Sequence, residues 1–137
     1  MLLSEYFDKT KGTGILATSD AAGQVDAALY ARPHFLDEQT VAFIMADRLS
    51  HQNLQSNPRA AYLFIERGEG YEGRRLHLTK VAEETDPQKI QALRRRPLPA
   101  ECGFEGESRY LVHFRIDRVR PLVGDQAIQS SEKENER

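Results

Sequence analysis

The sequence predicts a mainly β protein, a six-stranded antiparallel barrel or sandwich with a few short flanking helices. Three observations carry that expectation. Short runs of alternating or continuous apolar residues recur along the chain, separated by turn residues. One stretch has the start and stop signals of a longer helix. At 137 residues there is room for one domain and little more.

The elements follow in order. Leu2–Thr10 reads as a short helix with Leu3 and Phe7 at i and i+4, and Gly12 and Gly14 punctuate it. Gly14–Ser19 and Gln24–Ala31 form a predicted hairpin around Asp20-Ala21-Ala22-Gly23. In its second strand Val25, Ala27, Leu29 and Ala31 face one way, and Asp26, Ala28, Tyr30 and Arg32 the other. Pro33 ends or bends that strand, and Asp37-Glu38-Gln39 makes the next turn. Thr40–Ala46 and Arg59–Glu66 are continuous apolar strands, flanking a short helix over Ser50–Asn57. A glycine-bearing loop, Arg67–Arg74, leads to the half-buried strand Arg75–Glu83. Asp86 as N-cap and Pro87 at the first position open a longer helix, with Ile90 and Leu93 as its apolar stripe. Arg94, Arg95 and Arg96 complement its dipole, and Pro97 ends it. Leu98–Ser108 reads as loop, and Arg109–Val123 as a long last strand. The domain is assigned to 1–124, and the polar tail 125–137 is expected to be disordered.

Composition excludes several function classes. Formal net charge is −2, with basic residues spread along the chain, whereas nucleic-acid binding needs a clustered basic face. No apolar run approaches the length of a membrane span, and the opening residues lack the pattern of a signal peptide. The single cysteine, Cys102, allows no internal disulfide and fits a reducing compartment, so the expected location is the cytoplasm. No neighbouring charge activates it as a nucleophile. His34, His51, His77 and His113 are too widely spaced for a metal motif, and no metal site is expected. No nucleophile elbow, phosphate-binding loop or dinucleotide glycine run is present.

The stretch Asp47–Leu54 carries most chemistry. Ser50 reads as an N-cap, with Leu49 and Leu54 in the positions of a hydrophobic staple. The unpaired amides of such a helix start attract anions, Arg48 precedes it, and His51 and Asn53 add donors. That pattern suggests a phosphate site, although an ordinary capped helix would look the same. The small residues Ala27, Ala28 and Ala31 would let a flat ligand approach the backbone, with Arg32 in reach of a phosphate.

Four segments in order then resemble the pyridoxamine 5′-phosphate oxidase-like, flavin mononucleotide (FMN)-binding split barrels. They are Gly14–Ser19, Ala28–Pro33, Val41–Met45 and Ser50–Arg59, the last similar to a "K-x-x-x-L-x-x-N-P-R" segment. The likeness spans roughly residues 6–120. It implies a six-stranded split barrel working as a homodimer, with FMN in the groove between two chains. By position, Tyr30, Ala31 and Arg32 would line the flavin, and Ala46, Arg48, Ser50, His51 and Asn53 would surround its phosphate. Many members carry a Lys near Ser50; here Arg48 must supply that charge. The implied activity is FMN-dependent oxidoreduction or electron carriage of an unnamed small-molecule substrate, with the cofactor performing the transfer and no side chain named as catalytic. Two alternatives are a haem-binding or haem-degrading barrel, through His34, His77 or His113, and a dimeric binding module without cofactor.

Overall fold

The computed structural model describes residues 1–94, 109–126 and 128. The helix α1 (Leu3–Lys9) precedes the strands β1 (Gly12–Ser19), β2 (Val25–Leu29), β3 (His34–Asp37) and β4 (Thr40–Ala46). The helix α2 (Leu49–Ser56), strands β5 (Arg59–Glu66) and β6 (Gly73–Glu84), helix α3 (Pro87–Leu93) and strand β7 (Arg109–Pro121) complete it. All seven strands form one antiparallel sheet in the order β2-β1-β5-β6-β7-β4-β3.

Connectivity forces that sheet to curl. Its two edge strands, β2 and β3, are consecutive in the chain, joined by the five residue steps from Leu29 to His34. Such a connection reaches at most about 18 Å. A flat sheet of seven strands would hold its edges about 29 Å apart, at about 4.8 Å per spacing. The edges therefore approach each other without pairing, and the barrel is split along that seam.

The interior is apolar and aromatic. Leu16, Tyr62, Phe64, Leu76, Leu78 and Phe114 are buried inside the sheet, and α1 contributes Leu3, Tyr6 and Phe7. Phe7 packs edge-on against Phe64 with centroids 5.0 Å apart, and the Tyr6 hydroxyl donates to Glu66 Oε2 at 2.6 Å. Beyond the last strand, Ile128 docks on the same core, its amide donating to the Val119 carbonyl at 2.7 Å.

The mainly β, antiparallel barrel with flanking helices is as the sequence predicts, with seven strands in place of six. The additional one is β3, four residues long, directly after Pro33 and bulged between Phe35 and Asp37. The β1–β2 turn forms as expected: Asp20 Oδ1 accepts from the amides of Ala22 and Gln24, both at 2.9 Å, and Gly23 takes φ 87°. Asp86 Oδ1 caps α3 through the Gln88 amide at 2.9 Å, and Ile90 is buried. The start of α2 differs by two residues: Arg48 is the N-cap, and Ser50 lies within the first turn. Arg95, Arg96, Pro97, Cys102 and the loop Leu98–Ser108 lie outside the described residues. Among the described residues no helix is long and apolar enough to cross a membrane, and no cluster of three or more potential metal ligands occurs.

Candidate functional site

A groove of about 730 Å³ opens along the seam. The stretch from Ala28 to Arg32 forms one wall, β4 supplies Phe43, Ile44 and Ala46, and the start of α2 supplies Arg48, Leu49 and Ser50. Small side chains at Ala28, Ala31 and Ala46 leave the backbone accessible, and the volume is typical of a small-molecule site.

Tyr30 is locked at the centre of that wall. Its amide donates to the Gly14 carbonyl at 3.0 Å, its carbonyl accepts from the Tyr62 hydroxyl at 3.1 Å, and its ring meets Phe43 edge-on. Gly14 is required there: a Cβ would lie 1.8 Å from the Tyr62 hydroxyl oxygen. Burial pushes the Tyr30 phenol above its ordinary value, and Asp26 adds to this, against a hydrogen bond with Ser50 and the charge of Arg48. The phenol therefore stays neutral at physiological pH and presents a hydroxyl rather than a charge.

The groove is basic. Arg32, Arg48, Arg94 and Arg109 line it against one carboxylate, Asp26. Arg32 also closes the end of α1, its Nη1 donating to the carbonyls of Phe7 and Thr10 at 2.7 and 3.2 Å. At α2 no side chain caps the first turn, so its amides point outward with the positive end of the helix dipole. Arrangements of this kind hold an anion through charge and backbone donors together.

Six of the eight residues named from the sequence thus line one groove: Tyr30, Ala31, Arg32, Ala46, Arg48 and Ser50. His51 and Asn53 do not. Both are buried on the barrel side of α2. His51 Nδ1 lies 3.2 Å from Asp47 Oδ1, its Nε2 lies 3.1 Å from Glu83 Oε1, and its ring stacks on Tyr110 with centroids 3.9 Å apart. Asn53 Nδ2 donates to Thr18 Oγ1 at 3.0 Å, tying α2 to β1.

Sequence reasoning missed Arg94, Arg109 and Phe43 as lining residues, and His34, named only as a candidate haem ligand, lines the groove as well. Arg109 arrives by register, since β4 and β7 pair Ala46 with Arg109. Nothing local to either segment announces that pairing. Of the other histidines, His113 Nε2 is 2.8 Å from Glu84, and His77 Nε2 accepts from Arg120 Nε at 3.1 Å.

No family model matches the chain, and no curated protein matches it by sequence. Solved structures do match. HupZ of Group A Streptococcus is 20% identical with a TM-score of 0.70, covering 94% of this chain and 100% of its own. An FMN-binding protein of Syntrophomonas wolfei is 14% identical with a TM-score of 0.68, covering 88% and 83%. A Clostridium acetobutylicum protein related to general stress protein 26, of the pyridoxinephosphate oxidase family, is 12% identical with a TM-score of 0.63, covering 91% and 89%. These likenesses show that the chain has the fold of the FMN-binding split barrels.

Proposed function

We propose that this chain is an FMN-binding flavoprotein, an FMN-dependent oxidoreductase or electron carrier that works as a cytoplasmic homodimer. The carrying observation is the arginine-lined groove at the seam, with the uncapped first turn of α2 at one end. A phosphate monoester fits that end: Arg48 supplies a forked cation, Ser50 a hydroxyl, and the first-turn amides further donors. The flat ring fits against Ala28, Tyr30 and Ala31, where small side chains flank the Tyr30 phenol. Arg32 joins the site while holding α1. His51 and Asn53 act from behind, orienting α2 rather than touching the ligand.

Bound FMN would supply the hydride or electron transfer. This chain's residues bind and orient it, and the neutral Tyr30 phenol can hydrogen-bond near the ring without adding charge. The dimer is favoured by the exposed apolar face of β2, where Val25 and Leu29 are 81% and 74% accessible at the sheet edge. Light scattering should return about twice the 15.6 kDa chain mass.

The test is the absorption spectrum of the purified protein, before and after adding FMN and desalting. Retained flavin bands support the reading; a protein that never retains them overturns it. A haem reading rests on His34, which lines the groove. A Soret band on haem addition, lost in His34→Ala, would favour it instead. Equally poor FMN binding by the wild type and by Arg48→Ala/Ser50→Asp would favour a cofactor-free binding module.

A further inference from the structure

Outside the groove, on the sheet face turned away from the core, lies a second basic feature. Cross-strand pairing sets His77 of β6 opposite Arg118 of β7, and Arg75 opposite Arg120. On the other flank β5 sets Arg59 opposite Thr79 and Ala61 opposite His77. Alternation sends Leu76, Leu78 and Val119 into the core and leaves these neighbours on the outer face. The register shift between His77 and Leu78 turns Asp117 toward the same face, as a bulge does. The result is a cavity of about 360 Å³ lined by Arg59, His77, Asp117, Arg118 and Arg120.

Charge in this cavity is not balanced from within. Asp117, its one carboxylate, has Oδ1 accepting from Arg115 Nε at 2.7 Å and Oδ2 from the Thr79 hydroxyl, and the charge of Arg59 also bears on it. A single carboxylate thus faces the three guanidiniums of Arg59, Arg118 and Arg120. His77 Nε2 is occupied as an acceptor by Arg120 Nε, which leaves the ring neutral and the guanidinium oriented. No hydrogen bond or ion pair among the described residues engages the guanidinium of Arg59 or Arg118. Burial holds the His77 imidazole below its ordinary value, and the charges of Arg120, Arg75 and Arg118 lower it further. In a chain with 21 acidic and 19 basic residues, an uncompensated cluster of this kind is a local exception.

We propose that this cavity is an anion site for a small phosphorylated ligand, gripped by the guanidinium forks of Arg59 and Arg118 and oriented by the Arg120–His77 pair. Planar forks meet two phosphate oxygens at once, which favours phosphate over a spherical anion. The cavity's size suits a phosphate or diphosphate group with a small substituent, not a polymer. Its residues are not those of the seam groove, so the proposal does not depend on flavin binding.

The probe is pyrophosphate, titrated calorimetrically at constant ionic strength into the wild type, Arg59→Ala/Arg118→Ala and Arg118→Gln. Both arginines are exposed, so the variants should fold, which circular dichroism checks. Expected are saturable binding to the wild type, a loss of about tenfold per arginine removed, and unchanged FMN affinity. Absence of saturable binding overturns the site. So does equal binding by wild type and double variant, or a matching heat from chloride alone. Loss of FMN affinity in the double variant would make the cluster part of the flavin site and overturn it as a separate one.

Discussion

The two faces of α2 make opposite uses of adjacent residues. On the groove face, Arg48 and Ser50 border open volume, and the first-turn amides have no side-chain cap. On the barrel face, His51 and Asn53 are buried and satisfied by Glu83, Asp47, Tyr110 and Thr18. One face borders the groove; the other commits its bonds to keeping the helix still. The difference teaches that a polar residue next to a ligand site need not belong to it. What sets its part is the direction in which the helix turns it.

Variants can break that comparison. The largest expected effect is on the groove face. Arg48→Ala/Ser50→Asp removes a fork and places a carboxylate where a phosphate would sit. It should lower FMN affinity by about 100-fold or more, since two charge-assisted bonds are lost at about 1.5–3 kcal/mol each. Flavin fluorescence titration measures this, and Arg48→Ala alone, at an exposed position, should leave stability in urea nearly unchanged. Next comes the barrel face. His51→Ala removes the stack on Tyr110 and leaves Glu83 without one of its partners. Glu83 keeps Lys80 and Gln55, so the loss is a ring stack and a hydrogen bond, together about 1–3 kcal/mol. FMN affinity per folded molecule should fall far less than in the groove variant. A reversal of those two patterns would make His51 a ligand contact.

The smallest effect concerns pH. Burial raises the Glu83 carboxyl, but hydrogen bonds from Lys80, Gln55 and His51 outweigh it and hold the group below its ordinary value. A carboxyl depressed in the folded state contributes stability that is fully present above its unfolded pKa. That stability is lost as pH falls through the folded value. The acid limb of unfolding should therefore move up in His51→Ala, by roughly a few tenths of a pH unit, because Lys80 and Gln55 remain. Urea denaturation at a series of pH values across the acid limb checks it.

What the sequence made legible was local. The alternation of Val25, Ala27 and Leu29 against Asp26 and Ala28 has a period of two and needs no partner to be read. Asp86-Pro87 marks a helix start through its own chemistry. The helix start near Ser50 was also legible, but its rotation was not. Whether His51 faces groove or barrel depends on Glu83 and Tyr110, from distant strands. β3 was missed because four residues after a proline, interrupted by a bulge, carry too little period to separate a strand from a bend. Arg94 read as a dipole partner of α3, yet it also reaches the groove. Ile128 lay in a stretch of polar composition, and its docking on Val119 is visible only in three dimensions.

The measurement that bears most directly on the central claim compares FMN with riboflavin, which differ by the phosphate alone. Fluorescence titrations of both should be made with the wild type and with Arg48→Ala. If the start of α2 is the phosphate end of a flavin groove, FMN binds the wild type at least about tenfold tighter than riboflavin, and Arg48→Ala narrows that ratio without weakening riboflavin. Equal affinity of the wild type for both flavins, or binding of neither, would contradict it.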